Sequence, residues 1–419
     1  MGVTTKRAEE VIARCRKLAT FSEDAGGTRR TFLSKPMRDC HREVSGWVGP
    51  LGMQVRVDAA GNWRAHYAAA KPEAPRLLVG SHLDTVPNAG AYDGVLGVVL
   101  AIALLEALKG RRLPFGIEVV GFSEEEGVRF GTPFIGSRAL TSRLDEELLS
   151  RQDDRGISVR RAIEDFGLNP AEIPRAALKK DTLGYVEFHI EQGPVLEELG
   201  RPLGVVEAIA GQSRLEFSFV GRANHAGTTP MHLRQDAIAA AAEWITAVER
   251  HAQEISGLVA TVGKIEAKPG ATNVIAGEAR LTLDLRHGAD EARIRAQDNL
   301  IHRAEEIAQR RGLGVSRKVL LTQQAVAMDS FLVGELEQAI RQTGCEPYRM
   351  VSGAGHDAMI LAEKVPAAMI FLRSPGGISH DPAETVEIED VERAIECGVH
   401  LLDQLASSPA FQKAESQEG

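Results

Sequence analysis

The sequence predicts an α/β protein with a mostly parallel central sheet and a second, inserted domain. Near the start of the chain, an apolar strand, a helix and another strand follow one another, an order that implies a parallel pair with a right-handed crossover. From Gln212 to about Gln324 the order is βαββαβ, the ferredoxin-like unit, which completes a small sheet by itself. The first pattern then resumes. We therefore expect a discontinuous first domain, residues 1–211 and 325–419, interrupted by a domain at 212–324.

The elements of the first domain follow from apolar runs and their boundaries. The segment "RLLVGSHLD" predicts a buried strand, "GVLGVVLAIALLEALKG" a helix that ends at Gly110, and "FGIEVVGFSEEEG" a second strand followed by acidic residues. After the inserted domain come a helix, "DSFLVGELEQAIRQTG", a loop, "MVSGAGHDAMILA", and a strand, "AAMIFLR". Ligands of such sheets collect at the carboxyl ends of the strands, so we expect the functional site there.

The inserted domain alternates strands and amphipathic helices. Its predicted elements are, in order, strand "RLEFSFVG", helix "DAIAAAAEWITAVERHAQEI", strands "GLVATVGKIEAK" and "EARLTLDLRH", helix "DEARIRAQDNLIHRAEEIAQRRG" and strand "VSRKVLLT". Its sheet has free edges, which favours pairing with a second copy of the chain, so we expect it to serve as a dimerisation and lid domain that swings about hinges near Gln212 and Gln324.

Composition indicates a globular protein whose partners are neither nucleic acids nor membranes. A chain of 419 residues with 43% hydrophobic and 26% charged residues is long enough for two domains with sizeable cores. The net charge of −9 and the pI near 5.8 disfavour nucleic acid and anionic lipid. Four scattered cysteines suggest reduced thiols, and the amphipathic N-terminus is unlike a signal peptide. We expect a cytoplasmic protein with a frayed polar tail, "SSPAFQKAESQEG".

Five positions carry metal-ligand side chains near the ends of predicted strands. Each has an ordinary explanation: a strand-end histidine is usually a satisfied polar residue, an acidic triplet is usually a solvated surface, and an aspartate before a helix can cap it. Together, on loops with Gly or Pro, they are typical of a site for borderline metals such as zinc. The positions are His82, Asp93, the triplet 124–126, His189 and His380.

The mixture of residue types suits a pair of divalent ions. Two ions about 3.5 to 4 Å apart can share a bridging carboxylate and lower the pKa of a water between them. Asp93 is the candidate for the bridge, and a carboxylate that binds no metal would transfer the proton. Asp84, two residues after His82, is expected to accept the second ring proton of that histidine.

The motifs resemble a known group of hydrolases. "GSHLDTVP", "YDG" and "SEEEG" are similar to the metal-dependent aminoacylase and carboxypeptidase clan. A longer set resembles its carbamoyl-hydrolysing branch, which comprises N-carbamoyl-L-amino acid amidohydrolases, β-ureidopropionases and allantoate amidohydrolases. This set is "EEEGVRF", "HIEQGPVLE", "GRANHAGTTPM", "TNVI", "LDLRH", "GAGHDAM" and "GISHDPAE".

The resemblance implies a dinuclear metallohydrolase with a defined ligand set. It places His82 and Glu126 on different ions and Asp93 between them. His189 would join the ion of His82, and His380 would join the ion of Glu126. Zinc is the first expectation for both ions, with manganese, cobalt and nickel as alternatives.

The resemblance also implies catalytic and substrate-binding residues in the first domain. Glu125 would be the general base, Gln192 would contact the substrate, and His356 would lie near the substrate. Arg373, before "GGISHDP", departs from the uncharged residues expected there, which leaves the choice of substrate open.

Three further residues are implied in the inserted domain, and they would be supplied by the other subunit of a homodimer. His225, Asn273 and Arg286 would together polarise the scissile carbonyl and hold the substrate carboxylate. A histidine can stabilise an oxyanion, and arginine pairs bidentately with a carboxylate. Without the resemblance, an ordinary turn histidine and a surface ion pair are the simpler explanations for His225 and Arg286.

The predicted activity is hydrolysis of the ureido group of an N-carbamoyl-L-amino acid, with release of the amino acid, CO2 and NH3. Allantoate amidohydrolase and β-ureidopropionase are the nearest alternatives, and a dipeptidase or aminoacylase is a weaker one. A non-catalytic binding protein on the same scaffold predicts loss of the base or of a ligand, yet Glu125, Asp93 and all three histidines are present.

Overall fold

A computed structural model describes residues 3–412, so the last seven residues of the predicted frayed tail lie outside the described residues. The expectation is wrong for the start of the tail, where Pro409–Gln412 form a helix and Phe411 packs against Phe115. Along this part of the chain thirteen α-helices alternate with strands. The helices are α1 Val3–Ala19, α2 Lys35–Val48, α3 Val95–Ala107, α4 Ile135–Leu140, α5 Glu146–Ser150, α6 Val159–Asp165, α7 Val195–Glu198, α8 Ala237–Glu254, α9 Asp290–Arg310, α10 Ser330–Gln342, α11 Asp357–Leu361, α12 Ile388–Ser407 and α13 Pro409–Gln412.

Fifteen strands of the described chain form two main sheets and one small ribbon. They are β1 Gln54–Val57, β2 Trp63–Tyr67, β3 Arg76–His82, β4 Gly116–Phe122, β5 Thr182–Ile190, β6 Leu203–Ile209, β7 Gly211–Val220, β8 Asn224–His225, β9 Val259–Lys268, β10 Val274–Ile275, β11 Glu278–His287, β12 Gly314–Gln323, β13 Val326–Ala327, β14 Arg349–Ser352 and β15 Ala367–Leu372.

The large sheet has parallel strands at its centre and antiparallel strands at both sides. Its order is β1-β2-β4-β3-β5-β15-β6-β13, with β14 also paired to β6. Strands β4, β3, β5 and β15 run parallel to one another, so their carboxyl ends meet at one edge. The predicted α/β class with a mostly parallel sheet is confirmed.

Helix α3 explains how this sheet is covered. The helix is apolar on every side, because β3 and β5 lie against it on one side and α1 and α12 pack on the other. Residues from Val95 to Leu105 are all buried as a result. None of the described helices is both long and apolar enough to cross a membrane.

The chain divides into two compact units. The first unit comprises the chain up to Glu207, Met328–Met350 and the chain from His356 onward, and the second comprises Ala208–Ala327 and Val351–Gly355. These limits lie a few residues from those expected at 212 and 324, and the short segment 351–355 adds two further crossings of the chain that the sequence pattern does not indicate.

The second unit has the expected ferredoxin-like topology. Its four-stranded sheet has the order β12-β7-β11-β9, and every neighbouring pair is antiparallel. Helices α8 and α9 pack on this sheet around Trp244, which contacts Phe217 and Phe219 and donates its indole N–H to the carbonyl of Leu300 at 3.0 Å. Asp236 begins α8 by accepting two backbone N–H groups.

Candidate active site

The parallel strands bring the predicted site residues to one edge of the large sheet. His82 is the last residue of β3, and His189 is the last but one of β5. Residues 124–126 follow the end of β4, and His380 lies in the loop after β15. All of them belong to the first unit.

Asp93 enters this edge from the turn before α3. Its carboxylate does not cap the helix, because the N-cap position is Gly94 and no side chain caps that end. Gly94 has φ +67°, and a Cβ there would lie 2.3 Å from the ring of His82, so only glycine fits. The helix-cap explanation of Asp93 is therefore excluded, and its carboxylate lies buried among the histidines.

The two buried histidines present bare nitrogen atoms to each other. The Nδ1 atom of His82 lies 3.0 Å from the carbonyl of Asp84, and that of His189 lies 2.9 Å from the carbonyl of Ile190. Because carbonyl oxygens only accept, Nδ1 of each ring is the donor in this contact, and Nε2 is the nitrogen that can offer a lone pair. The two Nε2 atoms are 3.4 Å apart, and Oδ1 of Asp93 lies 3.3 Å from that of His189.

Three acceptor atoms therefore converge with no proton to separate them. Ligands about 2.1 Å from a tetrahedral metal ion lie about 3.4 Å from one another, which is the separation of the two Nε2 atoms. The donor set of His82, Asp93 and His189 thus fits a metal ion.

The other oxygen of Asp93 faces a second group of ligand atoms. Oδ2 lies 3.1 Å from Nε2 of His380, and the same nitrogen lies 3.7 Å from Oε1 of Glu126. Asp93, Glu126 and His380 form a second set that could hold an ion. The two oxygens of Asp93 thus point to two different sets. We call the five residues the candidate metal centre: His82, Asp93, Glu126, His189 and His380.

The three adjacent glutamates have different surroundings. Glu124 faces away from the centre and accepts backbone N–H groups of Phe32, Arg129 and Phe130, so it holds neighbouring loops together. Glu125 and Glu126 approach the ligand groups, and one set contains both with His82. The triplet therefore combines one structural carboxylate with two that face the site.

Asp84 makes a different contact from the one expected. Its backbone carbonyl, not its carboxylate, is nearest to the ring of His82, and the carboxylate oxygen is 3.7 Å away. The carboxylate instead accepts the backbone N–H groups of Glu125 and Glu126, each at 3.0 Å. Asp84 thus orients the histidine through its main chain and the glutamate loop through its side chain.

Burial and repulsion dominate the electrostatics of this edge. Burial, reinforced by the charge of Glu126, raises the pKa of Glu125 well above its usual range, and burial with Asp93 does the same for the pKa of Glu126. Burial lowers the pKa of His189 to about 4, so the ring is neutral at neutral pH. A cation bound among these carboxylates and neutral imidazoles would stabilise the charged form of the carboxylates.

Three residues of the site have strained backbones. The φ values of Glu124, Gln192 and His380 are 50°, 60° and 58°. These values lie in the left-handed region, which residues other than Gly, Asn and Asp rarely adopt. Strain of this kind costs on the order of 1 to 3 kcal/mol each and concentrates at functional sites. Six other non-glycine residues of the described chain also have positive φ, so strain of this kind is not confined to the site.

Gln192 lies over the centre. Its amide nitrogen donates to both oxygens of Asp93, at 3.1 and 3.2 Å, and to Ser379. Its amide oxygen is buried and has no protein partner within the described chain. An acceptor is therefore available beside the candidate metal centre.

His356 and two residues that the sequence did not single out complete the surroundings. The ring of His356 packs edge-on against His189 with centroids 4.6 Å apart, and Glu187 lies in the same group. Glu187 stands two residues before His189 on β5, a spacing that places both on one side of a strand. Glu384 accepts the backbone N–H groups of Tyr92 and Asp93, so it positions the turn that carries Asp93.

Arg373 is occupied by an ion pair. Its Nε and one terminal nitrogen each donate to the carboxylate of Asp390, both at 2.8 Å, and Asp390 is buried at the start of α12. The guanidinium therefore ties the loop after β15 to that helix. This contact gives Arg373 a structural role.

We expect Arg373→Gln to lower stability by about 3 kcal/mol, because it leaves the buried carboxylate of Asp390 unpaired. The ratio of activities on different substrates should stay unchanged. Urea unfolding and substrate ratios measure the two effects. In the control double variant, Arg373→Gln with Asp390→Asn, much of the stability should return. A changed substrate ratio in the single variant would show that Arg373 contacts the substrate.

The residues expected from the second unit lie on two of its sheets. His225 on β8 pairs with Val274 on β10, and Asn273 accepts the N–H of Ala226 through its carbonyl at 2.9 Å, so His225 and Asn273 are neighbours. Arg286 on β11 pairs bidentately with Asp284 and donates to the carbonyl of Gly353. Their proposed roles toward substrate remain predictions.

The fold and this edge of the sheet define a hydrolase with a histidine and carboxylate centre. The sequence matches peptidase family M20/M25/M40 over residues 78–404. It is 40% identical over 387 residues to an N-carbamoyl-L-amino acid amidohydrolase of Geobacillus stearothermophilus, covering 92% of this chain and 95% of that protein. It is 37% identical over 432 residues to allantoate deiminase 2 of Glycine max, covering 95% and 89%.

A solved structure gives the same result. An amidase of the hydantoinase/carbamoylase family from Burkholderia multivorans has a TM-score of 0.90 at 29% identity, covering 96% of this chain and 98% of that one. The chain belongs to peptidase family M20/M25/M40, whose members are in general metal-dependent. It is a hydrolase acting on C–N bonds other than peptide bonds, and the resemblance inferred from its motifs is confirmed.

Proposed function

We propose that the protein hydrolyses the ureido group of an N-carbamoyl-L-amino acid and releases the amino acid, CO2 and NH3. One water is consumed: its oxygen joins the carbonyl carbon, both C–N bonds break, and the nitrogens leave as amine and ammonia. The observation that carries the proposal is the convergence of bare Nε2 atoms and Asp93 beside the buried carboxyl of Glu125.

The candidate metal centre has the donor chemistry for two divalent ions that share Asp93. His82 and His189 would hold one ion, and Glu126 and His380 the other. Imidazole and carboxylate ligands fit zinc first and also manganese, cobalt or nickel. When bound, such ions polarise a carbonyl and make water acidic enough to lose a proton near neutral pH.

The remaining steps belong to the side chains. Glu125, buried and next to the ligand groups, would take a proton from the attacking water and deliver it to the leaving nitrogen. Burial and the charge of Glu126 raise the pKa of the Glu125 carboxyl, which makes its carboxylate a stronger base. The unpaired amide oxygen of Gln192 would accept an N–H of the ureido group, and His356 would line the substrate side.

A substrate panel tests the proposed specificity. Ammonia release should be measured for several N-carbamoyl-L-amino acids, N-carbamoyl-β-alanine and allantoate under identical conditions. The highest kcat/KM should fall on an N-carbamoyl-L-amino acid. A preference for either other compound would replace this assignment within the same reaction class.

Allantoate is the second candidate, because a relative of nearly the same similarity is an allantoate deiminase. Allantoate carries the same ureido group near a carboxylate, so the same centre and base would serve. β-Ureidopropionase activity is tested by the same panel.

We further propose that the protein acts as a homodimer in the cytoplasm and that His225, Asn273 and Arg286 complete the site of the partner subunit. A subunit-mixing experiment tests this: Arg286→Ala chains and Glu125→Gln chains, each nearly inactive alone, are allowed to exchange. Random pairing should restore about a quarter of the normal sites, since a hybrid dimer has one site with both residues intact.

The matched control mixes Glu125→Gln with His82→Ala chains. Glu125 and His82 belong to the same unit of a chain. Each of the two sites of a hybrid dimer therefore carries one of the two changes. Neither site is complete, and activity should stay low. No recovery in the Arg286 mixture after proven exchange would show that Arg286 serves its own subunit.

A further inference from the structure

A basic cavity lies at the opposite end of the central strands from the candidate metal centre. Its volume is about 730 Å³, and it is lined by β1, β2, the loop 68–74 and the first residues of β3. Arg76 begins β3 and His82 ends it, so about 20 Å of extended chain separates this cavity from the metal centre. We call this cavity the basic cleft.

The basic cleft concentrates positive charge in a chain of net charge −9. Two acidic side chains, Glu73 and Glu118, line it, against five cationic ones. The cationic residues are Arg56, Arg64, Lys71, Arg76 and Lys179. Cations gathered in a concave surface of an acidic protein point to an anionic ligand.

Glu118 is the only buried acid in the lining, and it is shared among three guanidinium groups. Arg64 donates to it at 2.7 Å, Arg56 at 3.1 Å and Arg76 at 3.4 Å. The pairing of Arg76 with Asp181 is long, at 3.9 Å. The buried carboxylate of Asp58, outside the lining, lies 3.5 Å from Arg64 and balances its charge. Arg56 and Arg76 each use only part of their N–H groups on Glu118, so both keep donors for a further anion.

Two lining residues also keep atoms without protein partners. Nε of Arg76 and Nδ1 of His66 are buried and have no hydrogen-bond partner among the described residues. The pKa of His66 is lowered by burial and by the charges of Arg76, Lys179 and Arg56, although Glu118 opposes them. These charges face His66 from β1, β3 and the segment before β5, so the potential at the ring is positive.

We propose that the basic cleft binds a small multiply charged anion through its phosphoryl or carboxylate oxygens. Arg56 and Lys179 would contact the anion from the exposed rim, and Arg76 from the inner wall. Guanidinium groups bind both kinds of oxyanion bidentately, so the chemistry is shared by phosphate esters and polycarboxylates. The alanine-rich wall of the loop 68–74 leaves room for the carbon skeleton of such a ligand.

Isothermal titration of the metal-loaded protein with inorganic phosphate and, separately, succinate tests the proposal. The variant Arg56→Gln/Lys179→Gln changes two exposed rim residues, so folding should be preserved. The matched control is Arg161→Gln/Lys180→Gln, whose exposed cations lie outside the lining, with Lys180 directly beside Lys179.

We expect at least one of the two anions to bind the wild type and the control. Its affinity for the rim variant should be at least tenfold lower. Phosphate binding alone would identify a phosphoryl ligand, and succinate binding alone a carboxylate ligand. Bound anion should also raise the pKa of His66 in histidine-labelled protein. Equal affinity in the rim variant and the wild type, or no binding of either anion at concentrations up to about 10 mM, would overturn the proposal.

Discussion

Glu125→Gln should retain its metal and lose on the order of 10² to 10⁴ in kcat, the usual contribution of a positioned acid or base. The amide has nearly the shape of the carboxyl but cannot take up a proton. Glu125 is buried beside the ligand groups and has a pKa raised by burial and by the charge of Glu126. KM should change little, because the proposed role concerns proton transfer and not binding.

Glu126→Gln provides the contrast for this prediction. Its side chain reaches toward His380 and belongs to the second ligand set, so this change should weaken metal binding as well as activity. Metal content and kcat measured on both variants separate the two roles. A Glu125→Gln enzyme that keeps both its metal and its activity would mean that another group is the base.

Asp93→Asn should have the widest effect on metal content, because Asp93 is the residue shared by the set with His82 and His189 and the set with Glu126 and His380. Wild-type protein should approach two ions per chain, and the variant should retain fewer than one. An amide oxygen is a weaker ligand than a carboxylate and cannot offer two charged oxygens. Loss of the metal contribution, worth several kcal/mol, predicts a fall in kcat of at least about 10³-fold.

Asp381→Asn is the matched control, since Asp381 is an exposed carboxylate directly after His380. It should keep both metal ions and nearly full activity. Elemental analysis and ammonia release measure both variants. A wild-type enzyme that is fully active with one tightly held ion, and gains nothing from more, would contradict the two-ion prediction.

Much of the site follows from local sequence because strand ends are local features. His82 and His189 end apolar runs, and parallel strands must bring such ends together, so their convergence could be predicted. The different role of Glu124 within the triplet could not be predicted, because one of its hydrogen-bond donors is the backbone N–H of Phe32, ninety-two positions earlier in the chain. Glu384 was missed for the same reason: its role depends on hydrogen bonds to a turn almost three hundred positions earlier in the chain.

Two contacts show why residue type alone does not determine a role. Asp84 was expected to use its carboxylate on His82, but the turn after β3 brings its carbonyl closer. Arg373 was considered for substrate choice, yet its guanidinium group donates from two nitrogens to a buried carboxylate seventeen positions later. In each case the deciding partner is set by the path of the chain, which an unaligned sequence does not display.

The position of β15 has a consequence for the order of folding during synthesis. β15 lies between β5 and β6 in the finished sheet, although it is made long after both of them. Until Ala367–Leu372 leaves the ribosome, β5 and β6 keep unpaired edges that invite pairing with other chains. The sheet β12-β7-β11-β9, in contrast, draws only on residues made in one continuous stretch. The synthesis of the unit that carries the candidate metal centre therefore begins first and ends last. Newly made chains need protection from pairing with other chains until the final part of translation.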